Sequence, residues 1–111
     1  MQEMVNSFLN HLVVERGFSQ NTLEAYRNDL YQFMNYVVEK TPVDNGAAKW
    51  IHVNVSLLTD YVFNLRGEKS YRDSTTARKV AAIKSFFGFL VEEGHLTLDP
   101  TESVSAPRPG R

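Results

Sequence analysis

The sequence contains no cysteine and no long apolar run, and each absence excludes a class of protein. Without cysteine there is no disulfide framework, no thiolate nucleophile and no zinc site built on cysteine ligands. No apolar run approaches the roughly 20 residues needed to cross a bilayer, and the N-terminus lacks the basic start and apolar segment of a secretion signal. We therefore expect a cytoplasmic protein with no membrane partner.

Patterns that would support catalysis or metal binding are also scarce. The three histidines, His11, His52 and His95, occur singly and do not have the spacing of metal ligands on a helix. We find no paired carboxylates, no glycine-rich phosphate loop and no Ser/His/Asp arrangement. The sequence therefore predicts no metal, no cofactor and no small-molecule substrate.

The composition fits one ordinary globular domain, but its charge is unevenly distributed. The 111 residues are 42% hydrophobic and carry a net charge of −1, whereas nucleic-acid-binding domains are usually strongly basic. Residues 69–84, however, contain five basic side chains and one acidic side chain, while residues 1–68 contain five basic and eight acidic ones. Positive charge is thus concentrated in one segment, where a polyanion could bind locally.

Apolar residues recur at helical spacing almost throughout, which predicts four helices and no strand. Gly17 ends the first helix, Pro42 stops the second near Lys40, the third ends near Gly67 and Gly94 ends the fourth. The predicted buried stripes are Met4, Val5, Phe8, Leu9 and Leu12; Leu23, Tyr26, Leu30, Phe33 and Val37; Leu58, Tyr61, Val62 and Leu65; and Thr76, Val80, Ile83, Phe87 and Leu90.

The segments between and after the helices are predicted from their turn residues. Residues 41–54 have no helical period, so we expect a loop that holds Trp50 against the core. Residues 100–104 predict a short helical turn, and a proline-rich tail follows it.

Short polar side chains mark the predicted helix starts. Ser19 or Asn21 can cap the second helix, and Asn21 with Glu24 has the spacing of a capping box. Asp73 or Ser74 can cap the fourth helix in the same way.

The side of the fourth helix opposite its apolar stripe carries mostly small residues. An exposed face that only needs solubility usually carries long charged side chains, whereas small ones let another surface approach the helix. That surface could be the major groove of DNA or a neighbouring protein helix. The face is predicted to hold Thr75, Arg78, Ala81, Ala82 and Ser85, with Lys79 and Lys84 on its flanks.

Three segments in this order, "SQNTLEAYRNDLYQFMNYV", "STTARKVAAIKSFFGFLVEEGHLTLDP" and "APRPGR", resemble the N-terminal core-binding domain of tyrosine recombinases, the phage-integrase and Xer-type enzymes. The resemblance covers nearly the whole chain. It implies an all-α, SAM-like bundle of four main helices plus a short C-terminal turn over residues 1–106, with residues 107–111 beginning a linker to an absent catalytic domain. Its implied partners are duplex DNA and the other recombinase protomers of a full-length assembly.

The resemblance also implies which residues meet DNA, because the second and fourth helices of such domains are described as lying in the major groove. For some of these residues an ordinary structural role remains open: Ser19 and Asn21 as caps, Arg78 and Lys79 as a solvated face, and the Lys84 stem along the bundle. The implied contacts are Ser19, Asn21, Thr22 and Arg27 from the second helix, and Arg72, Ser74, Thr75, Arg78, Lys79 and Lys84 in and just before the fourth.

In the family it resembles, a separate C-terminal domain carries the catalytic tyrosine and the basic residues around it. We therefore do not expect this chain to be an enzyme. Two other interpretations remain open: a helical protein-interaction module, which the net acidity permits, and a small independent enzyme, which the missing catalytic groups disfavour. Sequence alone does not predict the target site, since DNA shape contributes to recognition.

Overall fold

The computed structural model describes residues 1–41 and 49–104, and they form four α-helices. These are α1 (Gln2–Arg16), α2 (Gln20–Lys40), α3 (Val55–Arg66) and α4 (Asp73–Glu92), with a 3-10 turn (Trp50–His52) before α3. No strand occurs in these two ranges, so the predicted all-helical bundle of four main helices is confirmed. None of the helices in the described part of the chain is long and apolar enough to cross a membrane.

The predicted turn near the C-terminus is also present. Backbone hydrogen bonds from Glu102 to Asp99 and from Val104 to Thr101 close it. The Asp99 carboxylate accepts hydrogen bonds from the backbone N–H and the hydroxyl of Thr101 at 2.8 and 2.6 Å. The proline-rich tail and the predicted domain boundary after residue 106 lie outside the described residues.

Capping residues define the C-terminus of α1 and the N-termini of α2 and α3. Gly17 ends α1 in the left-handed conformation, with φ of 63°, which glycine adopts without a Cβ clash. Ser19 caps α2, because its hydroxyl accepts a hydrogen bond from the Thr22 N–H at 3.3 Å. Asn54 caps α3 in the same way through the Leu57 N–H at 2.9 Å. These caps satisfy backbone donors that have no partner inside the helix.

The predicted α2 cap is confirmed through Ser19, whereas the predicted capping box and the predicted α4 cap are wrong. Asn21 lies inside the first turn of α2 and does not cap it, and Glu24 forms an ion pair with Arg27 instead of a capping box. Helix α4 begins at Asp73 with Arg72 in the cap position and no side-chain cap bond, so neither Asp73 nor Ser74 caps it. A carboxylate in the first turn still suits the positive end of the helix dipole.

Helix α4 is the central element, since it contacts α1, α2 and α3. Its buried surface is consequently wider than the single stripe that the sequence predicts. Lys79 and Ala82 are only 6% and 0% exposed, so their predicted positions beside and on the open face are wrong. The helical wheel describes one covered side, whereas neighbouring helices cover α4 on several sides. The predicted stripe of Thr76, Val80, Ile83, Phe87 and Leu90 is buried as expected.

The only tryptophan of the chain closes the aromatic core, as predicted. Trp50 is 5% exposed, and its indole N–H donates to the backbone carbonyl of Met1 at 3.0 Å. The 3-10 turn therefore ties the segment before α3 to the start of α1. The Trp50 ring also packs at centroid distances of 5.9, 4.8 and 5.9 Å against Phe33, Phe86 and Phe87.

Replacing Trp50 by alanine should lower the free energy of unfolding by roughly 3–5 kcal/mol, because it removes a buried aromatic side chain and leaves a cavity. Urea unfolding followed by circular dichroism measures the change. Ile51→Ala is the matched control: its side chain is 69% exposed, and we expect a change within about 0.5 kcal/mol. Similar losses from both variants would contradict the position assigned to Trp50.

Candidate functional site

A buried carboxylate joins α2 to α4. Asp29, in the middle of α2, is 0% exposed. Arg78 holds it with two hydrogen bonds, from Nε to Oδ2 at 3.0 Å and from Nη2 to Oδ1 at 2.8 Å, and Lys79 donates to Oδ1 at 3.0 Å. A buried carboxylate needs such partners, because an unpaired charge away from water is very costly. We call this group the Asp29 cluster: Asp29, Gln32, Tyr71, Arg78 and Lys79.

Lys79 is committed to the interior of this cluster. Its ammonium donates to the Gln32 Oε1 at 2.6 Å as well as to Asp29, and it lies 5.1 Å from the centre of the Tyr71 ring. Gln32 in turn donates to the Tyr71 hydroxyl at 3.4 Å. The predicted contact of Lys79 with DNA stays a prediction, and the structure gives its ammonium other partners.

Arg78 occupies the boundary between the cluster and solvent. Its side chain is 46% exposed although two of its N–H groups are bound to Asp29. Hydrogen bonding to that carboxylate raises the pKa of Arg78, while burial acts in the opposite direction. A guanidinium has five N–H donors, so both N–H groups on Nη1 and one on Nη2 have no partner among the described residues. Arg78 therefore stays charged and keeps donors available at the surface.

The Asp29 cluster changes the charge balance expected from the sequence. In the sequence, Asp29 belongs to residues 1–68, which are net acidic. In the fold, it contacts two cations of α4 and its negative charge neutralises one of them. The cluster carries one carboxylate and two cations, which leaves one net positive charge. Helix α4 thus has a weaker positive field than its own segment suggests.

One strip of α4 remains open and is lined by small residues. Ser74, Arg78, Ala81, Ser85 and Gly88 are exposed, and their spacing of three and four residues places them along one side of the helix. We call this side the α4 strip. Arg78 is its only long side chain. The predicted small-residue face is confirmed for Arg78, Ala81 and Ser85 but not for the buried Ala82. Thr75, in the first turn beside it, is partly buried.

The start of α2 presents short polar groups at the surface. Ser19, Asn21 and Thr22 are exposed, and the Ser19 hydroxyl donates to the Thr22 hydroxyl at 3.0 Å in addition to capping the helix. They precede Asp29 by seven to ten residues, or roughly 10–15 Å along the axis at the helical rise. Arg27 lies between them and Asp29, where it is partly exposed and pairs with Glu24.

The ten predicted contact residues therefore do not form one equivalent set. Ser74 and Arg78 share the α4 strip, and Arg72 is exposed just before it. Lys84 is partly buried, which fits the alternative that its stem lies along the bundle. Lys79 is buried.

Asp29 is not among the residues predicted for the site, although the sequence contains a signal for it. Asp29 follows Tyr26 by three residues and precedes Phe33 by four, so it falls on the apolar side of α2. A carboxylate at such a position predicts a buried cationic partner, since charged side chains are almost never fully buried unless paired. That signal identifies the need for a partner but not which cations supply it.

Two tyrosines among the described residues have raised pKa values. The Tyr61 hydroxyl is buried with no hydrogen-bond partner in the described part of the chain, and burial raises its pKa. Burial, followed by the charge of Asp60, also raises the pKa of Tyr36. Higher pKa values make a phenol harder to ionise and so less nucleophilic. No group of three potential metal ligands occurs within residues 1–41 and 49–104.

Comparison with known proteins identifies similar domains. The family model described as "Phage integrase, N-terminal SAM-like domain" matches residues 5–94. The chain is 41% identical over 111 residues to the tyrosine recombinase XerC of Herpetosiphon aurantiacus, covering 100% of this chain and 34% of that protein. It is 40% identical to the XerC of Roseiflexus sp. (strain RS-1), with the same two coverages. The tyrosine recombinase XerD of Listeria monocytogenes is 32% identical over 97% of this chain and 35% of its own length.

These matches confirm the resemblance found in the sequence, including the SAM-like fold. The chain spans about a third of the length of the curated relatives it matches. No solved structure matches it.

Replacing Asp29 by alanine should lower the free energy of unfolding by roughly 3–5 kcal/mol, because it leaves two cations without their buried counter-charge. Thermal and urea unfolding followed by circular dichroism measure the loss. Asp60→Ala makes the same change at an exposed position of α3 and should stay within about 0.5 kcal/mol. A tolerant Asp29→Ala variant would show that the ion pairs do not hold α2 against α4.

Proposed function

Because the chain belongs to the family of phage integrase N-terminal SAM-like domains, we propose that it binds duplex DNA as the N-terminal part of a site-specific tyrosine recombinase. The relatives carry the name tyrosine recombinase, and recombination acts on DNA. In this proposal α4 and the start of α2 enter the major groove.

The α4 strip is the observation that carries the proposal. The major groove is about 12 Å wide and admits a helix, and small side chains allow the helix backbone to come close to the bases. Arg78 supplies a guanidinium that can donate to a phosphate or to the O6 and N7 atoms of guanine. The Ser74 hydroxyl, in the first turn of α4, can donate a hydrogen bond from the same strip. The combination of one half-exposed arginine with small neighbours suits a groove better than open solvent.

The start of α2 adds phosphate-binding capacity to the same interface. Ser19 and Thr22 place hydroxyl groups at the N-terminus of a 21-residue helix, where the dipole favours an anion. Asn21 adds a polar side chain in that first turn, and Arg27 lies on the adjoining surface with its Glu24 partner. These residues would position the domain on the DNA backbone, while the α4 strip faces the bases.

The remaining predicted contacts have different parts in this proposal. Arg72, Thr75 and Lys84 would lie at the margin of the interface and contact phosphates. Lys79 would act through the Asp29 cluster, because its ammonium is occupied there. Few phosphates would be neutralised, so we expect weak binding with a shallow dependence on salt, since each neutralised phosphate contributes about −0.9 to the slope.

A protein-interaction role is the second candidate, favoured by exposed apolar side chains away from the α4 strip. Ile51, Phe63 and Leu98 are 69%, 71% and 82% exposed. Other recombinase protomers would be the partners of these side chains. A titration with duplex DNA at two salt concentrations separates the candidates: binding that weakens with salt supports DNA contact, and no binding at low salt favours the protein-interaction role.

We further propose that the chain does not cleave or join DNA by itself and that it acts in the cytoplasm. The raised pKa values of Tyr36 and Tyr61 oppose a role as nucleophile. A covalent DNA adduct on any of the five tyrosines would contradict the first proposal.

Replacing Arg78 by glutamine should weaken binding to a long random-sequence duplex about tenfold, because one charge-assisted contact is lost. Fluorescence anisotropy at low salt measures the affinity. Lys40→Gln and Lys49→Gln are the controls: both side chains are exposed, lie outside the proposed interface and change the net charge equally. Circular dichroism confirms that each variant is folded.

Equal losses from all three variants would contradict the proposed interface, since they would show that only the overall charge matters. In that case the α4 strip would be assigned to protein contact instead.

A further inference from the structure

We infer that Asp29 is a positioning residue for DNA binding: it holds the Arg78 guanidinium in one orientation at the α4 strip and does not itself touch DNA. This inference rests on the proposed function and extends it to a residue buried beneath the interface. Asp29 lies on α2, so the proposed contact on α4 depends on how the two helices pack.

The hydrogen-bond geometry carries the first step. Asp29 accepts from Nε and from Nη2, which are adjacent on one edge of the Arg78 guanidinium. A carboxylate bound to that edge fixes the plane of the group, because both hydrogen bonds must lie near it. The remaining donors, on Nη1 and Nη2, form the other paired edge of the fork, which can bind a phosphate or a guanine in the same bidentate manner. Arg78 can thus bind Asp29 and DNA at once.

The surroundings of Asp29 carry the second step. Its side chain is fully buried and receives a third hydrogen bond from Lys79, which Gln32 and Tyr71 hold in turn. The position of the Asp29 carboxylate is therefore fixed, and it determines the orientation of the Arg78 guanidinium. A fixed guanidinium loses less conformational entropy when it binds than a freely rotating one does.

Lys79 supplies the charge that makes this arrangement compatible with DNA. A carboxylate paired with Arg78 alone would present phosphates with no net charge. With Lys79 the cluster keeps one positive charge, while the ammonium itself stays out of the interface.

Two simpler roles for Asp29 predict different behaviour. If Asp29 only neutralised Arg78, its removal would release the guanidinium and tighten DNA binding. If it only stabilised the fold, DNA binding by a folded variant lacking it would be unchanged. Only the positioning role predicts that a folded variant without Asp29, with the net charge of wild type, binds DNA more weakly.

The double variant Asp29→Leu/Lys79→Met tests this directly. It removes one negative and one positive charge and replaces buried polar groups with apolar ones, a change that proteins often tolerate. Arg78 remains but loses its anchor. Asp60→Leu/Lys40→Met is the matched control, since it makes the same exchanges at exposed positions outside the interface. Fluorescence anisotropy on a long random-sequence duplex over a range of salt concentrations gives the affinity and the slope, alongside wild type and Arg78→Gln.

We expect the Asp29→Leu/Lys79→Met variant to bind several-fold more weakly than wild type at low salt, with a slope shallower by up to about 0.9, and the control pair to match wild type. Unchanged or tighter binding by that variant, with Arg78→Gln still impaired, would overturn the positioning inference and leave the proposed function standing. If Arg78→Gln binds as wild type does, the proposed interface and the inference both fall.

A second variant keeps the test decisive if the double variant does not fold. Arg78→Lys preserves the charge and can still pair with Asp29, but an ammonium cannot offer two fixed edges. We expect it to bind several-fold more weakly than wild type. Arg66→Lys makes the same change at an exposed arginine that pairs with Asp73 and is not among the proposed DNA contacts, and it should bind normally. Equal affinities for the two lysine variants would overturn the inference.

Discussion

The pairing of one buried carboxylate with two cations is the interaction on which the rest of the structure depends. Asp29 lies inside the bundle without contact to water, and it is tolerable there only because Arg78 and Lys79 reach it from α4. The apolar contacts between α2 and α4 bring the helices together, but apolar packing is not directional. The fixed geometry of the hydrogen bonds selects the register in which Arg78 reaches the surface and Lys79 remains inside.

Most of the fold could be predicted from the sequence, because its strongest signals are local. Gly17 marks the end of α1 through a backbone constraint that acts whatever the tertiary structure, and the apolar spacing identifies the core-facing residues. The prediction failed where several neighbours meet one helix. A helical wheel gives α4 one buried side, yet three helices contact it, and so Ala82 is buried as well.

The candidate site was less predictable, because it depends on pairs of residues far apart in the chain. Asp29 and Arg78 are separated by 49 positions, and charge counted along the sequence cannot place them together. The helical wheel of α4 alone likewise placed Lys79 beside the open face. In the fold its ammonium is buried, because it pairs with the Asp29 carboxylate on α2. The prediction that Arg78, Ala81 and Ser85 lie on an exposed side needed only the period of one helix and was correct, whereas Ala82 on the same predicted face is buried.

We propose that α4 meets DNA through the α4 strip, with Arg78 as the anchor. Backbone amide chemical shifts recorded during a titration with duplex DNA test it most directly, because they report on each surface of the folded protein separately. We expect the amide signals of Ser74, Arg78, Ala81 and Ser85 to shift with DNA concentration, while those of Ile51, Phe63 and Leu98 do not. Shifts confined to those three apolar residues, or none on the α4 strip, would contradict it.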